Sequence, residues 1–404
     1  MENPIVIDSD IYERSLVNIA QGALTNSKSP DCLIRGAYPT HIEKAQGALL
    51  YDTKGNEYID YICGLGTNLF GYANLDIIRA IHDEIYKGLS YSLCSKIEVE
   101  AAEKFKELFH WVDMVKFLKT GSEACNAAIR MARAYTGRHF VLSEGYHGWG
   151  DEFTSLTPPA TGVNSQPFIC KLTSLEQINN SIAAVIVEPV QLDDSITRLR
   201  YLNNLKEKCK ETGTVLIFDE VITGVRYKNY SVSNSFDIYP DLLIMGKAMA
   251  GGLPLAVVAG KKDIMNFPGY FVSSTYAGEN ASLRAFIKIF ELLWNKKFDL
   301  KELWSYGQDF IDKFNSLWPN KIWIEGYAVR GRFNGDQDII HMFWQEAAQT
   351  GMIFGPSWFY NFAHIEYQYR VLSFCHDIIN NIKAGNVKLW GARPQSPFSS
   401  RSRE

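Results

Sequence analysis

The sequence predicts an α/β protein, with a large domain on a mostly parallel sheet flanked by helices and a smaller α+β domain assembled from both chain ends. Two observations carry this. From residue 99 to 260 helical and strand patterns alternate, and strands alternating with helices belong to parallel sheets. Before residue 65 and after residue 275 that alternation gives way to a hairpin pattern and to longer helical runs mixed with short strands. The expected division is 1–64 and 281–390 for the small domain, 65–280 for the large one, and a frayed Ser/Pro/Arg-rich tail over 391–404.

In chain order, "GALLYDTKGNEYIDY" reads as two strands joined at Lys54, Gly55 and Asn56. "GSEACNAAIRMARAYTGR" has apolar residues at helical spacing, and "HFVLSEG", "IAAVIVEPV" and "TVLIFDEV" are short β-branched strands. Between the last two, "RYLNNLKEKCKETG" is an amphipathic helix that stops at Gly213. "DLLIMG" is a further strand, and "ASLRAFIKIFELLWNKK" opens a long helix.

Composition narrows the function. A chain of 404 residues with 46% hydrophobic and 21% charged residues is large enough for two cores. A net charge of -4 offers no basic surface for nucleic acid. The seven cysteines are scattered, without C-x-x-C pairs or clustering with histidine, as for reduced thiols in a cytoplasmic protein without a metal site. The acidic start "MENPIVIDSD" lacks the layout of a signal peptide. The apolar stretch "LLIMGKAMAGGLPLAVVAG" is broken by glycines, Pro254 and Lys247, which opposes a membrane span.

Four features carry chemistry. Lys247 follows an apolar strand in a Gly-lined setting that disfavours its charged form, which makes the amine a usable nucleophile and base, unless it snorkels to the surface. Asp219 ends another strand, where alternation puts it on one face with Val221 while Glu220 takes the other. Gly121 and Ser122 stand at a helix start, a site for an anion such as phosphate, or a place where Ser122 merely caps the helix. Tyr146, His147 and Trp149 sit among glycines after a strand, as packing residues or as a platform for a flat ring. Together they offer what pyridoxal phosphate requires: an amine for the aldehyde, a carboxylate for the ring nitrogen, an anion cradle and a platform.

On these residues the chain resembles the class III aminotransferases, pyridoxal-phosphate enzymes of fold type I with a seven-stranded sheet, and most nearly their glutamate-1-semialdehyde 2,1-aminomutase branch. "FDEVITGVRY", "IMGKAMAGGLPLAVVAGKKDIM", "TGSEACNAAIRMARAYTGR", "YHGWGD", "AAVIVEPV" and "STYAGENA" carry the likeness, which runs from about Arg35 to Phe362. The resemblance implies that Lys247 forms the Schiff base, Asp219 pairs with the pyridinium nitrogen, and Val221 and Tyr146 cover the two ring faces. It further implies that Gly121 and Ser122 hold the phosphate and that Glu188 lies beside the pocket. Thr275 would reach the phosphate of a neighbouring subunit, making the protein a homodimer.

Departures fall where the substrate would bind. Arg35 stands near the branch's carboxylate-binding arginine, Tyr360 replaces a glutamate, Leu65 replaces a tryptophan, and Gln191 and Asp193 replace Gly and Asn. The resemblance thus implies an aminotransferase, working by ping-pong exchange between an amino donor and an aldehyde or keto acceptor. An aminomutase-like intramolecular transfer is the alternative, with Arg35 as discriminator, and a catalytically idle binding protein of the same fold is the third reading.

Overall fold

The computed structural model describes residues 9–154 and 168–396. The chain divides into two compact units, one of residues 75–300 and one of residues 1–74 with 301–404. These junctions differ from the expected 64/65 and 280/281.

The larger unit is built on a seven-stranded sheet. Its strands are β1 (Met114–Leu118), β2 (Phe140–Glu144), β3 (Ile169–Lys171), β4 (Ile182–Val187), β5 (Val215–Glu220), β6 (Leu242–Met245) and β7 (Ala256–Gly260), in the spatial order β1-β7-β6-β5-β4-β2-β3. Strands β6, β5, β4, β2 and β3 run parallel, and β7 lies antiparallel to both its neighbours. Strands β4 to β7 are buried along their whole length. Their continuous apolar runs are what a sheet covered on both faces demands.

Helices α1 (Leu75–Ile85), α2 (Lys96–Leu108), α3 (Gly121–Thr136), α4 (Ile196–Thr212) and α5 (Asn280–Trp294) belong to the same unit. Helix α3 buries Ala124, Cys125, Ala127, Ala128, Ile129, Met131 and Ala132, a face of small residues that lets it lie close on the sheet. Helix α4 stops at Gly213, whose φ of 63° is the left-handed cap that glycine permits. Helix α5 was expected in the small domain, but Arg284 ties it to α1 and α2 through Glu84 (3.0 Å) and Glu100 (3.6 Å). Its buried face, including Leu283, Phe286 and Phe290, adds to the same core.

In the smaller unit, strands Leu49–Asp52 and Glu57–Asp60 form the expected hairpin, with the Asp52 carboxylate accepting the Lys54 and Asn56 N–H groups, both at 2.9 Å. Its aromatic core stacks Tyr61 between Phe354 and His364. The start of the expected tail is tied down: Ala392 pairs with Arg35 and the Gln395 N–H donates to the Asp31 carbonyl. Residues 397–404 lie outside the described residues. No helix among the described residues is long and apolar enough to cross a membrane, and none of the seven cysteines is in a disulfide.

Candidate active site

The carboxyl ends of parallel strands are where a sheet of this kind gathers polar groups. Asp219 is the next-to-last residue of β5, with only 5% of its surface exposed. Its Oδ1 accepts the Val221 N–H at 3.0 Å. Its Oδ2 accepts from His147 Nδ1 at 2.7 Å and from the Cys125 thiol at 3.5 Å. Glu220 faces the other way, buried among the Val232 N–H, the Ser233 N–H and hydroxyl, and the Thr223 hydroxyl. Strand alternation separates the two carboxylates as expected.

Lys247 lies two residues beyond β6 and holds a φ of 46°. A non-glycine residue in this region stores backbone strain of about 1–3 kcal/mol, and such strain concentrates at functional positions. Lys247 is half-buried. Its positive charge acts on the buried Cys125 thiol, drawing it down against the larger upward push of burial and of Asp219, so Lys247 and Asp219 share one electrostatic environment.

The helix start differs from expectation in an instructive way. The N-cap of α3 is Thr120, not Ser122: Thr120 Oγ1 accepts the Glu123 N–H at 3.2 Å, and Glu123 Oε2 accepts the Thr120 N–H at 3.0 Å. That reciprocal box satisfies the Glu123 and Thr120 N–H groups, and the donors of Gly121 and Ser122 are not part of it. Ser122, one residue inside the helix, has its hydroxyl oxygen take the Trp149 N–H at 3.3 Å. The turn above it is shaped by glycine. Gly148 has a φ of 102°, and a Cβ there would overlap Ser122 Oγ. A Cβ on Gly121 would stand 3.1 Å from both methyls of Val221. Val221 is therefore wedged against Gly121, which places it beside the helix start that fits an anion.

Glu188 follows β4 and accepts the Tyr146 N–H at 2.8 Å and the Gln191 side-chain amide at 3.0 Å. Burial, then the charge of Asp219, pushes its carboxyl above the ordinary value of 4.5. Gln191 thus lies beside Glu188, whereas Asp193 accepts the Ser195 N–H at 2.9 Å and shapes the entry to α4. The Tyr146 side chain is 49% exposed.

Lys247, Asp219, Val221, Gly121, Ser122, Tyr146 and Glu188 all belong to the larger unit. Thr275 belongs to it as well, exposed in the loop before α5. The two substrate candidates lie in the smaller unit. Arg35 is exposed, with its guanidinium 3.6 Å from Asp31. Tyr360 is fully buried among Trp358, Phe310 and His364, its hydroxyl donating to Gln368, so it is a core residue rather than a pocket-lining one.

In the sequence Cys125 is passed over and His147 stands out only as a packing or platform residue, without its bond to Asp219. His147 and Cys125 converge on Asp219 from 72 and 94 residues away. The signal for Cys125 was its place four residues after Gly121 on the buried face of α3; for His147 it was its adjacency to Tyr146. The ligating atoms of Cys125, His147 and Asp219 lie within 4.8 Å of one another. Both neighbours are, however, already engaged as donors to Asp219, an arrangement suited to holding one carboxylate.

The residues fit pyridoxal phosphate. The fit rests on the close approach that Gly121 and Gly148 allow between Val221, Ser122 and the turn at the α3 start, on a buried carboxylate held by three donors, and on a lysine whose charge reaches the Cys125 thiol beside that carboxylate.

Comparison with known proteins agrees. The family model for class III aminotransferases matches residues 35–167 and 153–356. A glutamate-1-semialdehyde 2,1-aminomutase of Thermosipho melanesiensis is 34% identical over 293 residues, covering 66% of this chain and 69% of that protein. The enzyme of that name from Thermosipho africanus is 31% identical over 364 residues, covering 79% and 86%. Among solved structures, the Sphingopyxis sp. MTA144 FumI protein in a PLP-containing form superimposes with a TM-score of 0.87 at 24% identity, over 94% of this chain and 97% of that one, a likeness of fold. Sheet, site and family match lead to one conclusion: the chain belongs to the class III aminotransferases, enzymes of fold type I that depend on pyridoxal phosphate.

Proposed function

We propose that this enzyme moves an amino group between a small amino donor and an aldehyde or keto acceptor in two separate half-reactions. Bound pyridoxal phosphate supplies the electron sink for the pair left when a substrate C–H bond breaks. In this reading Asp219, held by three donors, keeps the proton on the ring nitrogen, and Lys247 carries the proton to and from the substrate carbon. Ser122 and the first N–H groups of α3 bind the phosphate, Val221 packs on one ring face and Tyr146 on the other. Glu188 and Gln191 offer polar contacts at the rim. The observation that carries the reading is the buried Asp219 carboxylate, bonded to His147 at 2.7 Å and to the Cys125 thiol on which Lys247 also acts.

The choice of aminotransferase over aminomutase is supported by the smaller unit. Arg35, the discriminating residue, already faces Asp31, and Tyr360 is sealed in the core. The curated relatives bear the aminomutase name, which keeps intramolecular transfer as the second reading.

The enzyme acts as a homodimer, with Thr275 of each copy serving the site of the other. Support comes from the exposure of Thr275 and of the apolar Tyr86, Leu89, Tyr91, Leu93 and Tyr276 in the same unit. Unpaired thiols throughout support a cytoplasmic setting.

The test is spectral and kinetic. Purified protein given pyridoxal phosphate absorbs in the visible, borohydride bleaches it, and a good amino donor shifts the band to that of pyridoxamine phosphate. Parallel double-reciprocal plots against donor and acceptor support two half-reactions. Turnover of a single amino-aldehyde with no second substrate would support the aminomutase instead.

A further inference from the structure

We infer that Cys125 is a positioning residue for the cofactor's carboxylate partner, its thiol donating to Asp219 Oδ2 so that one helix holds both ends of the cofactor. The inference rests on the functional reading above. Helix α3 begins at the anion cradle of Gly121 and Ser122, and Cys125 follows four residues later. At 1.5 Å per residue that is about 6 Å along the axis, comparable to the span of a pyridine ring with its phosphate arm.

The geometry is specific. Cys125 is 1% exposed and its sulfur is 3.5 Å from Asp219 Oδ2, the oxygen that His147 also reaches at 2.7 Å. The donors come from separate parts of the unit: Val221 from the residue after β5, His147 from the turn after β2, and Cys125 from α3. With all three in place the carboxylate cannot rotate without breaking a bond. Burial and the neighbouring carboxylate keep the thiol in its proton-bearing form, which is the form able to donate.

The competing view makes Cys125 a small apolar filler. The two views order the variants oppositely. As a filler, Cys125→Ala is mild, whereas Cys125→Ser buries a hydroxyl without need and is worse. As a donor, Cys125→Ser replaces a weak S–H by a stronger O–H and is tolerated, whereas Cys125→Ala removes the bond.

Two measurements on the full-length protein decide. In the cofactor-free protein, the infrared S–H stretch of Cys125, assigned by difference from Cys125→Ser, is expected at lowered frequency and is expected to rise in Asp219→Asn. In the loaded enzyme, pyridoxal phosphate is expected to leave Cys125→Ala about three- to tenfold faster than wild type, with Cys125→Ser within about twofold of wild type, the range of one ordinary hydrogen bond, to which a weak S–H donor to a carboxylate is comparable. An S–H band at the unbonded frequency, or cofactor release from Cys125→Ser faster than from Cys125→Ala, overturns the assignment. A protein that binds no pyridoxal phosphate overturns the functional reading and with it this role, and in that case the infrared band still reports whether the bond itself exists.

Discussion

His147 Nδ1 and Asp219 Oδ2 are 2.7 Å apart, and the two side chains are 0% and 4% exposed. A carboxylate sealed in this way needs its donors, because each one lost leaves charge uncompensated in a medium that screens poorly. His147→Ala is therefore expected to lower kcat/KM by about 10- to 100-fold, the worth of a hydrogen bond to a charged group. Steady-state kinetics at saturating cofactor check this; an unchanged kcat/KM would remove His147 from the site's function.

Lys247 joins chemistry to strain. Replacing it with Ala or Gly is expected to cost at least about a hundredfold in kcat, the lower end for loss of a general base. The two variants should part in stability. At a φ of 46° glycine is relaxed and alanine is not. Lys247→Gly is expected to unfold about 2–4 °C above Lys247→Ala, corresponding to about 1 kcal/mol. Calorimetry of the two proteins measures the difference.

The glycine cradle makes a third prediction. Gly148→Ala combines a φ of 102° with overlap on Ser122 Oγ, and it is expected to weaken pyridoxal phosphate binding by about tenfold or more, since backbone strain alone costs about 1–3 kcal/mol. Gly121→Ala presses on the Val221 methyls at 3.1 Å. Its defect should be partly relieved by a second change, Val221→Ala, which removes those methyls. Cofactor titrations of the single and double variants read out both effects.

Glu188 predicts a pH dependence with a definite sign. Burial raises its folded-state pKa above the ordinary 4.5. A carboxyl raised in the folded state contributes its stability at low pH and loses it as pH climbs through the raised value. Glu188→Gln keeps an acceptor for the Tyr146 N–H but cannot ionise. It is expected to match wild type near pH 4.5 and to be the more stable protein above the raised pKa. Thermal midpoints across that range, compared pairwise, test the sign.

Much of the fold could be read from periodicity, because the central strands are wholly buried and their apolar runs are unbroken. The edges carried weaker signals. In β1 a lysine, Lys116, interrupts five residues, β3 is three residues long, and β7 ends the apolar stretch that glycines, Pro254 and Lys247 break up. Helix α5 falls in the larger unit, where its buried apolar face and the Arg284 pairs with Glu84 and Glu100 hold it against elements far away in sequence. In the site, Lys247 and Asp219 stand at strand ends and announce themselves. His147 and Cys125 do not, since a contact across 72 or 94 residues leaves no periodic trace. Tyr360 was misjudged because its burial depends on aromatic partners spread over the whole smaller unit.

The capping of α3 by Thr120 and Glu123 has a consequence for the life cycle of the enzyme. Because the helix closes its own end, the anion cradle does not depend on its occupant to stay folded. The empty protein should therefore wait in a loading-ready state, with the same helix content before and after pyridoxal phosphate is stripped. Its recharging should then be set by encounter with free pyridoxal phosphate rather than by refolding.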